Sequence, residues 1–418
     1  MEITVSKLIL RQWRQFESIE LDLSSQITVI TGSNGAGKST VLSILNKHYG
    51  FDRTYIGFPK SAAERLISRK SISGRGFSEF IRKIETEPTE IIGRISYSNN
   101  SEAHIVAPHQ TSTNYGVEIR GQADVSGTHI EPSAPSNLYR GLTDQNFHPP
   151  TFESIAQTAH GNAAQLYQGE QEQGRGSFDH LKSSLVKMAL FGYGNDAVQP
   201  IPELQNAYEE FQEVLRIVLP AEIGFIGFTV DLPEVILITK SGNFLLEGCS
   251  GGLIKVILIS WQLFLATRRK RSLLVTMDEP ENNLHPSMQR SLIPNLVTAF
   301  KECKFIIATH SPFIISSSEL SKVYAFRFNE SISALDARKV VSAEVSDFER
   351  AGTASEILRE VLGLESTMPK WIDRTYDSII EKYRFEDPSK ETLKKLHEDL
   401  MNSGLERKYP NALEAIFK

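Results

Sequence analysis

The sequence predicts an α/β fold with a parallel sheet at its centre, and three segments carry that prediction. In "SQITVITGSNGAGKST", residues 25–40, a short apolar run ends in a glycine-rich turn, and "STVLSILNKHYG" continues it with helical spacing. "SLLVTMDE" (272–279) and "CKFIIATHS" (303–311) are continuous apolar runs ending in polar residues, as expected of strands buried on both faces. The helical "PSMQRSLIPNLVTAFKE" between them makes a strand, helix, strand unit.

The other elements follow in chain order. Residues 3–10 and 18–31 read as short strands. From about 52 to 180 the pattern loosens into β-like pieces such as "EIIGRISYSN" and "YGVEIRG", separated by Ser, Asn, Pro and Gly, as in an insertion built on a scaffold. Residues 203–218 read as a helix, 227–248 as strands joined by turns, and "GGLIKVILISWQLFLATRRK" as a long apolar helix with a basic end. Beyond about 345 the chain is helical and charged. The expected division is therefore 1–55 (first part of a head), 56–200 (inserted lobe), 201–340 (second part of the head) and 341–418 (helical tail).

With 418 residues, 40% of them hydrophobic and 23% charged, the chain is long enough for two or three packing units. A formal net charge of −6 argues against a surface dominated by nonspecific phosphate binding. Two cysteines, Cys249 and Cys303, leave no disulfide framework or zinc cluster and fit a reducing, cytoplasmic compartment. The longest apolar run, at 256–266, falls short of the roughly 20 residues of a membrane span, so no membrane partner is expected.

"GSNGAGKS", Gly32 to Ser39, fits the P-loop pattern G-x-x-x-x-G-K-[ST] and lies after a strand and before a helix, where the mechanism needs it. Its backbone N–H groups, from Asn34, Gly35, Ala36, Gly37 and on to Thr40, would converge on phosphate oxygens of ATP at a helix N-terminus. Lys38 would reach the β- and γ-phosphates, and the Ser39 hydroxyl would ligate Mg²⁺. Asp278, at the tip of a strand expected to neighbour the P-loop strand, would complete the metal shell, with Glu279 beyond it to take a proton from the attacking water. His310 ends the next apolar run and should emerge on the same edge. "CSGG" at 249–252 opens the long helix with Ser250 as N-cap, a second site for an anion.

These four motifs in this order resemble the heads of ABC-type ATPases, P-loop NTPases with a mixed sheet. The resemblance implies that Ser250, Gly251 and Gly252 act in trans on the γ-phosphate held by a second subunit, that His310 senses that phosphate, and that Asp278 holds the metal and Glu279 is the general base. "DEPENNLHPSMQ" (278–289) is similar to the corresponding run of RecF and OLD-like AAA ATPases, and "WRQF" (13–16) to their N-terminal strand pair. Arg14 would then lie near the nucleotide, and Glu281 to Pro286 would face the other subunit. Leu253 replaces the usual signature glutamine, and the Q-loop residue is open among Gln110, Gln145 and Gln157.

The segment between P-loop and signature offers no heptads, so a compact head is expected in place of an SMC-type coiled coil. No two aspartates are spaced as D-x-D, which leaves no Toprim nuclease of the OLD type. The tail at 355–383 resembles those of ATPases in bacterial antiphage systems of the Septu, retron and PARIS kinds. The resemblance implies a dimerising ATP switch that controls a separate effector, such as a nuclease encoded nearby. The alternative is a RecF-like repair ATPase that grips DNA itself. The basic cluster Arg268 to Arg271 is compatible with DNA, although such clusters commonly cap a helix C-terminus.

Overall fold

The computed structural model describes residues 2–57, 89–108, 114–130, 148–168, 176–329, 340–364, 366–387 and 389–417. The chain forms two compact units, Met1–Ala354 and Ser355–Lys418.

The first unit opens with β1 (Val5–Trp13), β2 (Phe16–Asp22), β3 (Ile27–Gly32) and α1 (Lys38–Asn46). The middle segment contributes β4 (Tyr55–Ile56), β5 (Thr89–Tyr97), β6 (Glu102–Pro108), β7 (Asn114–Tyr115), β8 (Glu118–Arg120), β9 (Gly127–Ile130), α2 (Phe152–Gln168) and α3 (Ser177–Tyr193). Then come α4 (Pro202–Val218), the hairpin strands β10 (Phe225–Asp231), β11 (Glu234–Thr239) and β12 (Gly242–Leu245), and α5 (Gly251–Arg269). The unit closes with β13 (Leu274–Asp278), α6 (Pro286–Ala299), β14 (Lys304–Ala308), α7 (Pro312–Ile315), β15 (Ser321–Phe328), β16 (Val340–Val345) and α8 (Asp347–Arg350).

Among the described residues eleven strands form one mixed sheet in the order β8-β6-β5-β1-β2-β16-β15-β3-β14-β13-β9. From β15 to β9 every pairing is parallel. The other end is largely antiparallel, and β16 joins the halves, pairing antiparallel with β15 and parallel with β2. All six residues of β3 are buried, as a central strand covered on both faces requires.

This order bears on three expectations. β13 does not neighbour the P-loop strand: β14 lies between them, so the Asp278 tip is two strands from the P-loop. Apolar runs reveal that strands are buried but not who sits beside whom. The middle segment, expected as an inserted lobe, is joined to the head in its described residues. Its described strands extend the main sheet at both ends, with β5 on β1 and β9 on β13. Residues 341–345, assigned by sequence to the tail, complete β16 in the main sheet, and the second unit starts only at Ser355.

That second unit is helical as expected. Helix α9 (Ala354–Glu360) straddles its start, and α10 (Lys370–Tyr383), α11 (Lys390–Asn402) and α12 (Tyr409–Phe417) enclose a core of Ile379, Tyr383, Leu396, Leu400, Leu405, Ala412 and Ile416.

Helix α5, as a whole, is long and apolar enough to cross a membrane, although its apolar run alone falls short. Twelve of its residues are buried inside the unit, however, which accounts for that composition. Fully burying a Leu or Ile is worth about 1.5–3 kcal/mol, so this helix is a main anchor of the core. Ser250 caps it by accepting from the Leu253 N–H.

A buried polar cluster ties α1 to β13. Thr276 Oγ1 donates to Asn46 Oδ1 at 2.6 Å and lies 2.9 Å from His129 Nδ1 and 3.0 Å from the Tyr49 hydroxyl. Asn46 in turn donates to the Tyr167 hydroxyl at 3.1 Å. Thr276→Val keeps the side-chain shape while stranding these partners, a cost of about 1–3 kcal/mol. Denaturant titration should show that loss of stability; an unchanged midpoint would mean the cluster does not hold α1 to the sheet.

Candidate active site at the tips of β3, β14 and β13

The P-loop is shaped by its glycines. Gly32 has φ 137°, and a Cβ there would lie 2.4 Å from the Phe326 carbonyl oxygen of β15. Gly37 has φ 98°, and a Cβ there would come within 2.4 Å of both the Gln15 amide nitrogen and the Phe16 ring. Only glycine fits such positions without displacing a neighbour. Asn34, Gly35 and Ser39 are exposed, while Ala36 and Lys38 are buried.

Lys38 is 6% exposed, and its ammonium donates to the carbonyls of Gly32 (3.0 Å) and Ser33 (3.3 Å). Burial pulls its pKa down, and Glu279, Asp278 and Glu281 pull it back up. The ammonium also lies 2.7 Å from Nε2 of His310. Burial and the charge of Lys38 depress the His310 pKa, so its imidazole is neutral, with the Nε2 lone pair facing the ammonium and the proton on Nδ1. Glu279 Oε1 approaches the same Nε2 at 3.4 Å. With its lone pair held by Lys38, that nitrogen has no proton to give Glu279. Lys38, His310 and Glu279 therefore converge as expected, in an arrangement centred on the lysine.

Glu279 adopts φ 48°, a left-handed conformation that costs a non-glycine residue about 1–3 kcal/mol. Its N–H bonds the Ala308 carbonyl at 2.8 Å, and its Oε2 accepts from the Asn282 side chain at 2.7 Å. Asp278 is half-buried at the β13 tip.

Glu281 corrects an expectation about the turn: it is 5% exposed and points into the chain. Its Oε1 accepts from the Thr309 hydroxyl and, at 3.3 Å, from the His310 N–H. Burial raises its pKa, and Oε2 is buried with no hydrogen-bond partner among the described residues. Gln289 ties the same turn to the β14 tip, donating to the Leu284 carbonyl at 2.9 Å and accepting from the Ser311 hydroxyl at 2.6 Å. Asn282, Asn283, His285, Pro286 and Ser287 of the same run are exposed.

Arg14 is not placed on the P-loop. Its guanidinium lies 5.8 Å and 5.6 Å from the ring centroids of Trp13 and Tyr55. Its neighbour Gln15 reaches the P-loop instead, donating to the Gly35 carbonyl at 3.4 Å. The pattern "WRQF" thus brings Gln15 of the same hairpin to the P-loop, a contact the sequence did not single out.

Ser250 is exposed at the N-cap of α5, and Gly252 packs against the turn after β13, where a Cβ would meet the Asn283 carbonyl at 3.1 Å. Gln110 and Gln145 lie outside the described residues. Gln157 is exposed on α2 and donates to Glu153 at 2.8 Å. Glu153 also pairs with Arg269 at 2.9 Å, Arg268 with Glu210 at 3.1 Å, and Lys270 donates to Ser126 at 2.7 Å. The basic cluster is therefore largely committed to contacts within the chain. Burial pushes the thiol of Cys249 up to about 11 and that of Cys303 up to about 12, which leaves neither as a reactive thiolate. A cavity of about 520 Å³ is lined by His48, Tyr49, His129, His160 and Arg269 among others, but by none of the P-loop, β13-tip or His310 residues.

The site suits a nucleotide with a hard divalent cation. An exposed Ser39 hydroxyl on the first turn of α1 and the Asp278 carboxylate are the oxygen donors Mg²⁺ takes alongside phosphate oxygens. The carboxylates of Asp278 and Glu279 lie around the Lys38 ammonium at the strand tips and support its charge.

A P-loop between parallel strands, with a carboxylate pair and a histidine on nearby strand tips, is the arrangement of a P-loop nucleoside triphosphatase. Two family models match parts of the chain. The family model of an AAA domain matches residues 7–110, and that of an AAA ATPase domain matches 196–315. The chain is 22% identical over 395 residues to a protein named "Retron Ec83 probable ATPase" from Escherichia coli, covering 78% of this chain and 72% of that protein. Among solved structures it is similar to the SMC head domain from Thermotoga maritima (TM-score 0.40, 15% identity, 83% of this chain and 100% of that one). It is also similar to an Smc head derived from Pyrococcus furiosus and bound to the C-terminal domain of ScpA (TM-score 0.40, 15% identity, 82% and 96%). This protein is an ATPase.

Gly37→Ala should weaken ATP binding by about tenfold or more, because left-handed backbone alone costs alanine about 1–2 kcal/mol before its clash with Gln15 and Phe16. Titration with a fluorescent ATP analogue measures this, and wild-type affinity would show that the loop has another way to seat the phosphates.

Proposed function

We propose that this ATPase is a dimerising switch: ATP closes two heads on one another, hydrolysis reopens them, and a separate effector reads the change. The observation that carries the proposal is the convergence of Lys38, His310 and Glu279, at 2.7 and 3.4 Å, on the strand tips above an open P-loop.

In this reading the N–H groups from Asn34 to Thr40 and the Lys38 ammonium hold the phosphates of ATP. Ser39 and Asp278 would hold Mg²⁺, which supplies charge neutralisation of the phosphate oxygens. Glu279 takes a proton from the water that attacks the γ-phosphorus in line, and the β–γ bridging oxygen leaves with ADP. As the phosphates draw Lys38 away, His310 Nε2 loses the ammonium it faces. The imidazole is then available, as the Nε2–H tautomer, to donate to the γ-phosphate.

Dimer closure would use Ser250, Gly251 and Gly252 against the partner's γ-phosphate, which suits an exposed N-cap on a helix rooted in the core. A defence role, with a nuclease-like effector, is supported by the similarity to the retron ATPase and by the helical second unit, the region where the sequence resembles antiphage ATPases. Direct DNA binding gains no support from Arg268 and Arg269, whose charges are paired with Glu210 and Glu153 within the chain.

Glu279→Gln should retain ATP, accumulate as a dimer in ATP and Mg²⁺, and turn over about 10²- to 10⁴-fold more slowly. Lys38→Ala should retain no nucleotide. Light scattering coupled to size exclusion and a phosphate-release assay read both. Undiminished turnover by Glu279→Gln would remove the general-base role, and a monomer in ATP would remove the switch.

A further inference from the structure

Lys255 is a buried cation that the reaction as described does not use. It lies one turn into α5, is 2% exposed, and carries its ammonium to the backbone of the turn after β13. There it donates to the Asn282 carbonyl at 2.8 Å and makes a longer contact, 3.5 Å, with the carbonyl of Glu279 itself. Burying an ammonium among main-chain carbonyls is costly unless something requires the charge there. Burial lowers its pKa to about 8, with Glu281 and Glu279 opposing the shift, so it remains largely charged near neutral pH.

What needs holding is the backbone of Glu279. That residue sits at φ 48°, a conformation that persists only when its surroundings impose it. The Ala308 carbonyl fixes its N–H at 2.8 Å, and its own carbonyl accepts from the Asn282 N–H at 3.2 Å and faces Lys255. Asn283, at φ 67°, is also left-handed, and its carbonyl lies against Gly252 of the same helix. The first two turns of α5 thus clamp both strained residues of the turn, Gly252 by close approach and Lys255 by charge.

We propose that Lys255 is a positioning residue for hydrolysis: it sets the left-handed backbone of Glu279, and through it the placement of the general base is tied to the N-terminal turns of α5. The inference rests on reading Glu279 as the general base. Lys255 touches neither nucleotide nor water in this scheme and acts only through the turn.

The test is Lys255→Met, alone and combined with Glu279→Gln, in the full-length chain. A misplaced base lowers kcat, and about 10- to 100-fold is expected from a displacement of ångström size, with the affinity for a fluorescent ATP analogue within twofold of wild type. In the Glu279→Gln background the same change should alter turnover less than twofold, because the group it positions is already gone. Lys255→Gln, which keeps one donor for the Asn282 carbonyl, should recover part of kcat. It also serves as the comparison if Lys255→Met does not fold: a folded Lys255→Gln with wild-type kcat overturns the proposal. So does a Lys255→Met loss that multiplies undiminished with that of Glu279→Gln, or one that appears in nucleotide affinity and not in kcat. If wild-type protein turns over, Lys38→Ala and Glu279→Gln do not, and Lys255→Met is unaffected, this inference alone fails. If Glu279→Gln turns over like wild type, the general-base reading fails first.

Discussion

Everything at the catalytic edge answers to one demand, the burial of the Lys38 ammonium. A cation that is 6% exposed cannot be left to water, so the chain surrounds it with the carbonyls of Gly32 and Ser33, a neutral imidazole and the carboxylates of Asp278, Glu279 and Glu281. Those groups come from segments more than two hundred residues apart. They meet because β3, β14 and β13 run parallel and end at one edge. Reverse one strand and its tip would leave the lysine without its partners. The sheet's polarity and the charge balance of the site are in this sense one constraint.

Histidine 310 illustrates how tightly the groups are coupled. Its N–H is held by Glu281, its preceding residue bonds the same carboxyl, and its ring nitrogen is claimed by Lys38. Lys38 and Glu279 thus meet at the same ring nitrogen, at 2.7 and 3.4 Å. Burial raises the pKa of Glu281 behind the histidine, and its hydrogen bonds from the Thr309 hydroxyl and the His310 N–H oppose that shift.

Much of this edge was legible in the residues. Gly32, Gly37, Lys38 and Ser39 carry a pattern dictated by backbone sterics and phosphate geometry, and the polar ends of two apolar runs mark Asp278, Glu279 and His310 as strand tips. What sequence could not supply is lateral order. Nothing in "LLVTM" or "KFIIA" says that β14 stands between β3 and β13, or that 341–345 returns to join two half-sheets, because pairing partners leave no local trace. Side-chain direction in tight turns is hidden for a similar reason. Glu281 turns inward and Gln15, not Arg14, reaches the P-loop because tertiary packing selects among turn conformations that the residues alone leave open. Lys255 was invisible among the apolar residues of α5, where a single lysine reads as an exception to a helical stripe.

The strand beside β13 is β9, and it comes from the segment between the P-loop and α5. Middle segments of this kind invite treatment as exchangeable cassettes, with specificity swapped while the motor is kept. Here that exchange would take away the hydrogen-bonded flank of β13 and His129, a partner of Thr276. A chimera cut at the boundaries of the insertion would thus be an engine with one wall missing. Viable grafts have to keep Gly127–Ile130 with the head and change only what lies on either side.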